Sequence, residues 1–189
     1  MRKIILFNMV TLDGLFEGPN GSIDWHTTDD EFNTYSIDQL RAAGGLIFGR
    51  RTYELMASFW PTPMAAESDP QVAEMMTTLP KYVVTRTLNT VLWANSFLIK
   101  GDAAEELRKI QRLPGNDLLI FGSAELASTL IRQNMIDEIR IMVSPVLLGQ
   151  GRPLFSNLLN PVSLQLCATR AFGNGNILLT YQPDHGYPV

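Results

Sequence analysis

The spacing of apolar positions along the chain predicts strands that alternate with helices. Residues 3–10 are almost continuously apolar, which is typical of a strand covered on both faces. Residues 27–43 have helical spacing and end at a glycine pair, and residues 46–48 then form a short apolar run that suits a buried strand. A second helical segment follows at 52–59. The chain therefore begins with two strand-and-helix units.

The later part of the chain repeats this alternation and then changes character. Residues 81–86 predict a short strand, and residues 117–133 predict a strand, a Gly-Ser turn and a helix. Residues 138–144 and 162–170 are apolar at every second position, and FGNGN at 172–176 is a hairpin signal before a last strand. This order predicts a three-layer α/β/α fold with a mixed, mainly parallel sheet and an antiparallel C-terminal hairpin.

Two segments interrupt this regular pattern. Residues 11–25 (TLDGLFEGPNGSIDW) contain three glycines and a Pro-Asn pair, and we expect a long, mobile loop there. Residues 60–70 (WPTPMAAESDP) contain three prolines, and we expect them to be irregular as well.

Composition narrows the class of protein without identifying it. The 189 residues are 46% apolar and 18% charged, which favours one globular domain over 1–189. The net charge of −4 argues against nucleic acid and anionic membranes as general partners. A single cysteine, Cys167, fits a reducing compartment, and no apolar run is long enough to span a bilayer. We therefore expect a cytoplasmic location and any anion to be bound locally.

Three predicted strand ends carry groups suited to binding an anion. FGRRT at 48–52, VTR at 84–86 and FGSAE at 121–125 each place glycine, hydroxyl or arginine groups where a buried strand stops. Ligands of open α/β sheets bind beyond the carboxyl ends of the strands. Arg50 and Arg51 stand at a predicted helix start, where cations are unfavourable unless an anion lies between them and the helix amides. A phosphate group would satisfy both requirements.

Each of these motifs also has a structural interpretation. Gly122 and Ser123 could form only a tight turn with a serine N-cap, and the arginines could serve surface solubility or bind carbonyl groups. His26 and His185 are the only histidines, and with one cysteine they make no set of zinc ligands, so we expect no metal site.

The order of motifs along the chain resembles one known family. TLDGLFEGPNG, LIFGRRTYELM, YVVTR, LLIFGSAELASTLI and IDEIRIMVSPVLLGQGRPLF occur in the order found in the dihydrofolate-reductase-like family that includes the riboflavin-biosynthesis reductase (RibD C-terminal) domain. The resemblance covers nearly the whole chain. It implies the same three-layer fold and NADPH as the hydride donor.

The resemblance also implies which residues bind the cofactor. The adenosine 2′-phosphate would be held by Arg50 or Arg51, next to Gly49, with Thr52, Thr85 and Arg86. The pyrophosphate would lie against Gly122, Ser123, Ala124, Glu125 and Leu126. Gly14 and Leu15 would lie near the nicotinamide, in a loop that acts as a lid.

A carboxylate could supply the proton that hydride transfer requires. In dihydrofolate reductases a carboxylate five residues after a tryptophan orients the pterin, and Asp30 stands five residues after Trp25. Asp30 and its neighbour Asp29 are therefore the candidate catalytic residues. The alternative is structural, because Thr28-x-x-Glu31 has the spacing of a helix capping box and the helix dipole favours aspartates in a first turn.

Three functions remain open from the sequence. The first is an NADPH-dependent oxidoreductase that transfers a hydride to a small heterocyclic (pterin- or pyrimidine-like) or carbonyl substrate. The second is a non-catalytic nucleotide-binding or dimeric interaction module, and the third is a dihydrofolate reductase proper. We also expect a homodimer, because that is the commonest assembly, and we expect the strand around IDEIRIMVSP to pair or pack across its two-fold axis.

Overall fold

The computed structural model describes residues 1–156 and 158–184. His185 lies outside the described residues. The strands are β1 Ile4–Thr11, β2 Leu15–Glu17, β3 Gly45–Gly49, β4 Lys81–Val84, β5 Ser96–Ile99, β6 Leu118–Phe121, β7 Glu138–Ser144, β8 Arg152–Pro153, β9 Leu164–Ala171 and β10 Ile177–Pro183. The helices are α1 Asp30–Ala42, α2 Arg50–Phe59, α3 Pro63–Ser68, α4 Pro70–Thr78, α5 Ala103–Gln111 and α6 Ala124–Arg132, with a 3₁₀ turn at Pro19–Gly21.

Eight strands form one mixed sheet in the order β5-β4-β3-β6-β1-β7-β10-β9. The pairs from β5 to β7 are parallel, and β10 runs antiparallel to both β7 and β9. The predicted fold class is therefore confirmed, including the antiparallel C-terminal hairpin. All eight residues of β1 are buried, as the apolar run predicts for a central strand.

Apolar clusters cover the sheet on both faces. On one face Ile4 and Leu6 pack with residues of α5 and α6, such as Leu107 and Leu130. On the other face residues such as Phe48 pack with α1, α2 and α4. This layering leaves the carboxyl ends of the parallel strands as the edge at which loops and helix starts converge.

The two segments predicted to be irregular contain regular structure, so the prediction of irregularity is wrong for both, and the mobility of residues 11–25 stays a prediction. Residues 63–68 form α3 because Pro63 occupies the first helical turn, where no amide donor is needed, and Thr62 accepts a hydrogen bond from the Ala65 N–H. In the other segment, β2 pairs antiparallel with β8 and a 3₁₀ turn follows.

The structure corrects the capping box predicted for Thr28 and Glu31 at the start of α1. The N-cap of α1 is Asp29 and not Thr28, because the Asp29 carboxylate accepts the Phe32 N–H at 2.8 Å. Glu31 instead accepts hydrogen bonds from the Gly173 N–H at 2.9 Å and from Arg170 at 2.8 Å. The backbone N–H group of Gly173 and the Arg170 side chain lower the pKa of Glu31.

Strand β7 is not available to pair with a second copy of the chain, so that part of the expectation is wrong, and packing across a two-fold axis stays a prediction. It lies between β1 and β10 and is hydrogen-bonded on both sides, so the free edges of the sheet are β5 and β9. All eight residues of β9 are exposed, including the apolar residues predicted to share one face. The homodimer itself stays a prediction, as does the cytoplasmic location. Within the described ranges, no helix is long and apolar enough to cross a membrane.

Candidate functional site

Two cavities meet at the carboxyl edge of the sheet. The first, here called the polar cleft, has a volume of about 580 Å³ and lies beyond the ends of β3, β4, β5 and β6. The second, the apolar cavity, has a volume of about 610 Å³ and lies between β1 and helices α1, α2 and α4. Phe16, Glu17, Arg51 and Thr52 line both, so a ligand could extend from one to the other.

Of the described helices, α2, α5 and α6 begin at the polar cleft, and α2 and α6 differ from the others in lacking a side-chain N-cap. Four described α-helices have a side chain that accepts an amide hydrogen bond at the N-cap: Asp29, Thr62, Asp69 and Asp102. Helices α2 and α6 begin after Gly49 and Ser123, and neither of these residues makes a side-chain cap hydrogen bond. Both helix starts line the polar cleft, so their free N–H groups are available to an anion.

Close packing between glycines and the opposite helix start brings these two N-termini together. A Cβ atom on Gly49 would lie 2.8 Å from the Ser123 Cβ, and a Cβ on Gly122 would lie 2.8 Å from the Thr52 Oγ1. Gly122 has a φ of +68° and Ser123 one of +59°, a left-handed backbone that non-glycine residues seldom adopt. Ser123 stands at the N-cap without capping, so a conventional serine cap does not explain it.

Arginines surround the polar cleft, and they differ in how they are paired. Arg50 contacts Glu54 at 3.1 Å, and Arg152 contacts Glu17 at 3.2 Å and Glu125 at 3.4 Å. Within the part of the chain that the structure describes, Arg51 and Arg86 have no carboxylate in ion-pair range. Their guanidinium groups are therefore the ones most open to a phosphate.

Most of the residues implied by the family resemblance line the polar cleft. These are Gly49, Arg50, Arg51, Thr52, Thr85, Arg86, Ser123, Ala124, Glu125 and Leu126. Gly122 instead lines the apolar cavity. The hydroxyl of Thr85 accepts the N–H groups of Thr87 and Leu88 at 3.1 and 3.0 Å, which fixes the turn after β4. Three separate strand ends thus converge as the sequence predicts.

Gly14 and Leu15 lie beside the cavities and do not line them. The Leu15 N–H donates to the Thr11 hydroxyl at 2.9 Å, and Asp13 accepts the Gly149 N–H at 2.8 Å. The Thr11 hydroxyl, followed by the Gly149 N–H, lowers the pKa of Asp13. These bonds anchor the start of the segment, and the two residues after it, Phe16 and Glu17, reach the site.

The apolar cavity is enclosed mainly by hydrocarbon and aromatic side chains. Phe59, Trp60 and Met76 belong to its wall, with residues such as Phe7 and Phe32. Polar side chains also belong to the lining, and the two carboxylates among them are already engaged: Glu17 pairs with Arg152, and Asp69 caps α4. Such a cavity suits a flat, largely apolar ligand with a few polar edges.

His26 is the histidine of the apolar cavity. Burial lowers its pKa to about 4, so the imidazole is neutral near pH 7. Its ring packs edge-on against Trp25, with 4.4 Å between the ring centroids. A neutral imidazole is a weak acid, and His26 therefore contributes shape and hydrogen bonding more readily than a proton.

The two candidate catalytic carboxylates do not line either cavity. Asp29 caps α1, and Asp30 occupies the first helical position with an exposed side chain. A group that donates a proton must come within hydrogen-bond reach of the substrate or act through one water. The catalytic role of Asp30 stays a prediction, and comparing turnover by Asp30→Asn and Asp29→Asn would test it.

Sequence reasoning missed several residues of the site. Glu17 and Arg152 form an ion pair where the two cavities meet. Asp102 lies at the rim of the polar cleft. Arg152 falls within the motif that contributed most to the family resemblance, but it was given no role. Asn8 is the one polar residue in the apolar run 3–10 after Lys3, and it lines the apolar cavity.

Comparison with known proteins agrees with this architecture. A sequence profile of the RibD C-terminal domain matches residues 2–178. Protein YyaP of Bacillus subtilis (strain 168) is 32% identical over 180 residues, which cover 95% of this chain and 94% of YyaP.

Two solved structures share the fold at low sequence identity. One is a diaminohydroxyphosphoribosylaminopyrimidine deaminase/5-amino-6-(5-phosphoribosylamino)uracil reductase of Thermotoga maritima, with a TM-score of 0.72, 16% identity, and coverage of 97% of this chain and 57% of that one. The other is a dihydrofolate reductase of Enterococcus faecalis complexed with NADP(H), with a TM-score of 0.65, 15% identity and 96% coverage of both chains.

The fold and the two-cavity edge thus define a dihydrofolate-reductase-like α/β protein. Within that class, the chain belongs to the RibD C-terminal domain family.

Proposed function

We propose that the protein is an NADPH-dependent reductase of a small heterocyclic or carbonyl substrate. The observation that carries this proposal is the pairing of two uncapped helix N-termini, α2 and α6, at one cleft that also holds Arg51 and Arg86. Two helix N-termini and two guanidinium groups that line the same cleft suit a ligand with at least two phosphate groups. The family and the fold shared with reductases point in the same direction.

The residues of the polar cleft fit the phosphates of NADPH. The amides at the start of α6 would bind the pyrophosphate, and Arg51 or Arg50, with Thr52 and Arg86, would bind the 2′-phosphate. Asp102 already caps α5, so that helix start is closed to an anion. Bound NADPH supplies the hydride of the reaction.

The apolar cavity would hold the substrate next to the junction of the two cavities. Its aromatic wall would exclude water from the reacting atoms, and Phe16 and Glu17 of β2 would close the junction from above. A flat heterocycle would suit this cavity, because aromatic side chains such as Phe32 on α1 and Phe59 on α2 belong to its wall. The pyrimidine substrate in the name of the Thermotoga maritima relative is of this class.

Titration with NADPH and NADH tests the proposal. Quenching of tryptophan fluorescence reports binding, since Trp60 lines the apolar cavity. NADPH should bind more tightly than NADH. Arg51→Ala or Arg50→Ala should remove that difference by weakening the binding of NADPH by about 1.5–3 kcal/mol. Arg41→Ala is the matched control, because Arg41 pairs with Asp38 on α1 and lies outside both cavities. Equal, weak binding of both nucleotides would contradict the proposal.

A second candidate function is nucleotide binding without turnover. The observation that favours it is that neither Asp29 nor Asp30 lines the apolar cavity, which leaves Glu17 and Asp69 as the carboxylates there, both engaged. The two candidates differ in one measurement, the oxidation of bound NADPH followed at 340 nm with dihydropterins, dihydrofolate and aminopyrimidines as substrates. Tight NADPH binding with no oxidation in any of them would favour the binding module, and reduction of dihydrofolate would favour a dihydrofolate reductase proper.

A further inference from the structure

The apolar cavity becomes more enclosed along helix α1, away from the polar cleft. The residues of α1 that line it change from Asn33, which is exposed, through Ser36, which is half-buried, to Gln39, which is 5% exposed. Helix α1 runs from the carboxyl edge of the sheet toward the start of β3, and Gln39 lies on its last turn. A ligand group that reaches Gln39 is therefore at the deep end of the cavity, remote from the junction with the polar cleft.

Gln39 stands between this cavity and strand β7. Around the helix, Ser36 and Leu40 lie on one side of Gln39, and both line the cavity. Tyr35 lies on its other side and packs in the apolar cluster that contains Met142 of β7. The side chain of Gln39 can therefore contact β7 with one edge of its amide and the cavity with the other.

Arg140 of β7 fixes which edge of the amide is left for a ligand. Arg140 Nη1 donates to Gln39 Oε1 at 3.4 Å, and Arg140 Nε donates to the Glu138 carboxylate at 2.7 Å. A guanidinium group has donors only, so the amide atom that faces Arg140 is the oxygen. The Gln39 Nε2 has no hydrogen-bond partner within residues 1–156 and 158–184, and it is not sealed from solvent. A directed donor is thus available on the cavity side.

We propose that Gln39 determines specificity by donating from Nε2 to a carbonyl oxygen or ring nitrogen at the deep end of a flat heterocycle. The proposal rests on the proposed reductase function, because this heterocycle would be its substrate. Since Arg140 holds the oxygen, the amide does not turn over to accept a hydrogen bond from an amino group. A ring without an acceptor at this end would leave Nε2 buried and unpaired, so the cavity favours an oxo group over an amino group there.

The test measures the affinity of pteridine-2,4-dione and pteridine-2,4-diamine at pH 7. The two probes share one ring system, and both exocyclic groups change from acceptor to donor, so the result does not depend on which of them meets Gln39. The wild-type protein should bind the dione about tenfold more tightly than the diamine.

Two substitutions of Gln39 separate hydrogen bonding from shape. Methionine has a similar length and no donor, so Gln39→Met should bind the dione about tenfold more weakly and the diamine as the wild type does. A carboxylate only accepts hydrogen bonds, so Gln39→Glu should pair with Arg140 and bind the diamine more tightly than the dione. A residue that merely shapes the cavity would not produce this reversal.

Arg140→Met tests whether Arg140 sets the orientation of the amide. Without the guanidinium group the Gln39 amide can turn over, so the affinities of the dione and the diamine should move toward each other. An unchanged preference for the dione in this variant would overturn the role of Arg140.

Gln165→Met and Gln165→Glu are the matched controls, because Gln165 is exposed on β9 and lies outside both cavities. The proposal is overturned if the wild-type protein binds neither pteridine or binds both equally. It is also overturned if the Gln39 variants keep the wild-type preference or lose both probes equally. NADPH titration tests the reductase function separately, because Gln39 does not line the polar cleft. If NADPH does not bind, that function fails, and the two pteridines still decide the role of Gln39.

Discussion

Gly122 and Thr52 are packed so closely that any side chain at position 122 would force the two helix starts of the polar cleft apart. A Cβ atom on Gly122 would lie 2.8 Å from both Cγ2 and Oγ1 of Thr52. Thr52 belongs to the first turn of α2, and Gly122 precedes α6 by two residues. The contact therefore fixes the spacing of the two sets of free amides on which anion binding depends.

Replacing Gly122 by alanine should disturb both stability and nucleotide binding. The new methyl group would collide with Thr52, and alanine is strained at a φ of +68°. We expect a loss of about 2–4 kcal/mol in the free energy of unfolding, measured in urea, together with weaker binding of NADPH. Gly149→Ala is the control, because Gly149 has a φ of +70° and no atom within 4 Å of its Cβ position. If both variants lose the same stability, backbone strain alone explains the effect.

A carboxylate introduced at Ser123 should compete with the anion. The left-handed backbone at this position tolerates Asp and Asn, and an aspartate would cap the free amides of α6 itself. Ser123→Asp should weaken NADPH binding by about 1–2 kcal/mol or more, whereas the uncharged Ser123→Asn should change it far less. Isothermal titration calorimetry at two salt concentrations would measure this, and equal affinities of the two variants would argue against an anion at α6.

Lys81 should stabilise the fold by capping a helix from inside the protein. Its Nζ donates to the carbonyl groups of Met76, Thr77 and Leu79 at 2.9, 2.9 and 2.8 Å, and lies 4.5 Å from the Trp93 ring centroid. Burial lowers the pKa of Lys81 to about 8, so the ammonium group is still charged at pH 7.

The variant Lys81→Met keeps the length of the side chain and leaves three carbonyl groups without their donor. We expect a loss of about 2–4 kcal/mol in the free energy of unfolding. Lys109→Met makes the same change on the exposed side of α5 and should cost less than about 1 kcal/mol. Chemical denaturation of both variants would measure the difference, and similar losses would show that the buried bonds contribute nothing extra.

His26 should make stability depend on pH between about 4 and 6.5. Its folded pKa of about 4 lies below the value of 6.5 for an unperturbed histidine. The unfolded chain therefore binds more protons in this window, so the stabilisation is fully present above pH 6.5 and falls as the pH is lowered toward 4. The slope should approach 1.4 kcal/mol per pH unit, on the order expected for one proton.

His26→Gln should flatten the part of the stability curve between pH 4.5 and 6.5. Asp13 and Glu31 also have lowered pKa values, but their ordinary values of 3.8 and 4.5 restrict the effect of these carboxylates to the acid end of that window. Urea unfolding at several pH values measures the slope directly. An unchanged slope in the variant would mean that His26 takes up its proton in the folded protein as readily as in the unfolded chain.

The fold was predictable where apolar spacing alone decides an element. The bounds of β7 agree with its predicted range, 138–144, and β1 is shifted by one residue from 3–10. Short elements were missed because their formation depends on distant partners. β2 exists only through its pairing with β8. Helix α3 was missed because its segment is rich in proline, and Pro63 can start a helix as well as break one.

The site was predictable as a set of strand ends, but its internal contacts were not. The positions of Arg51 and Arg86 follow from the general rule that ligands of α/β sheets bind beyond the strand carboxyl ends. The first N–H groups of α6 have no side-chain cap because Ser123 has a left-handed backbone, and no local sequence signal specifies that backbone.

β1 pairs with strands that come much later in the chain, and this affects how the protein folds during its synthesis. Its neighbours β6 and β7 begin at Leu118 and Glu138, so more than a hundred residues must leave the ribosome before β1 can pair with either strand. Until then eight residues that are buried in the finished protein are exposed to water and to other nascent chains. Non-local pairing of this kind slows folding. Synthesis of this protein therefore includes a long interval in which this eight-residue strand has no partner, and chaperones that bind extended apolar segments would act in that interval.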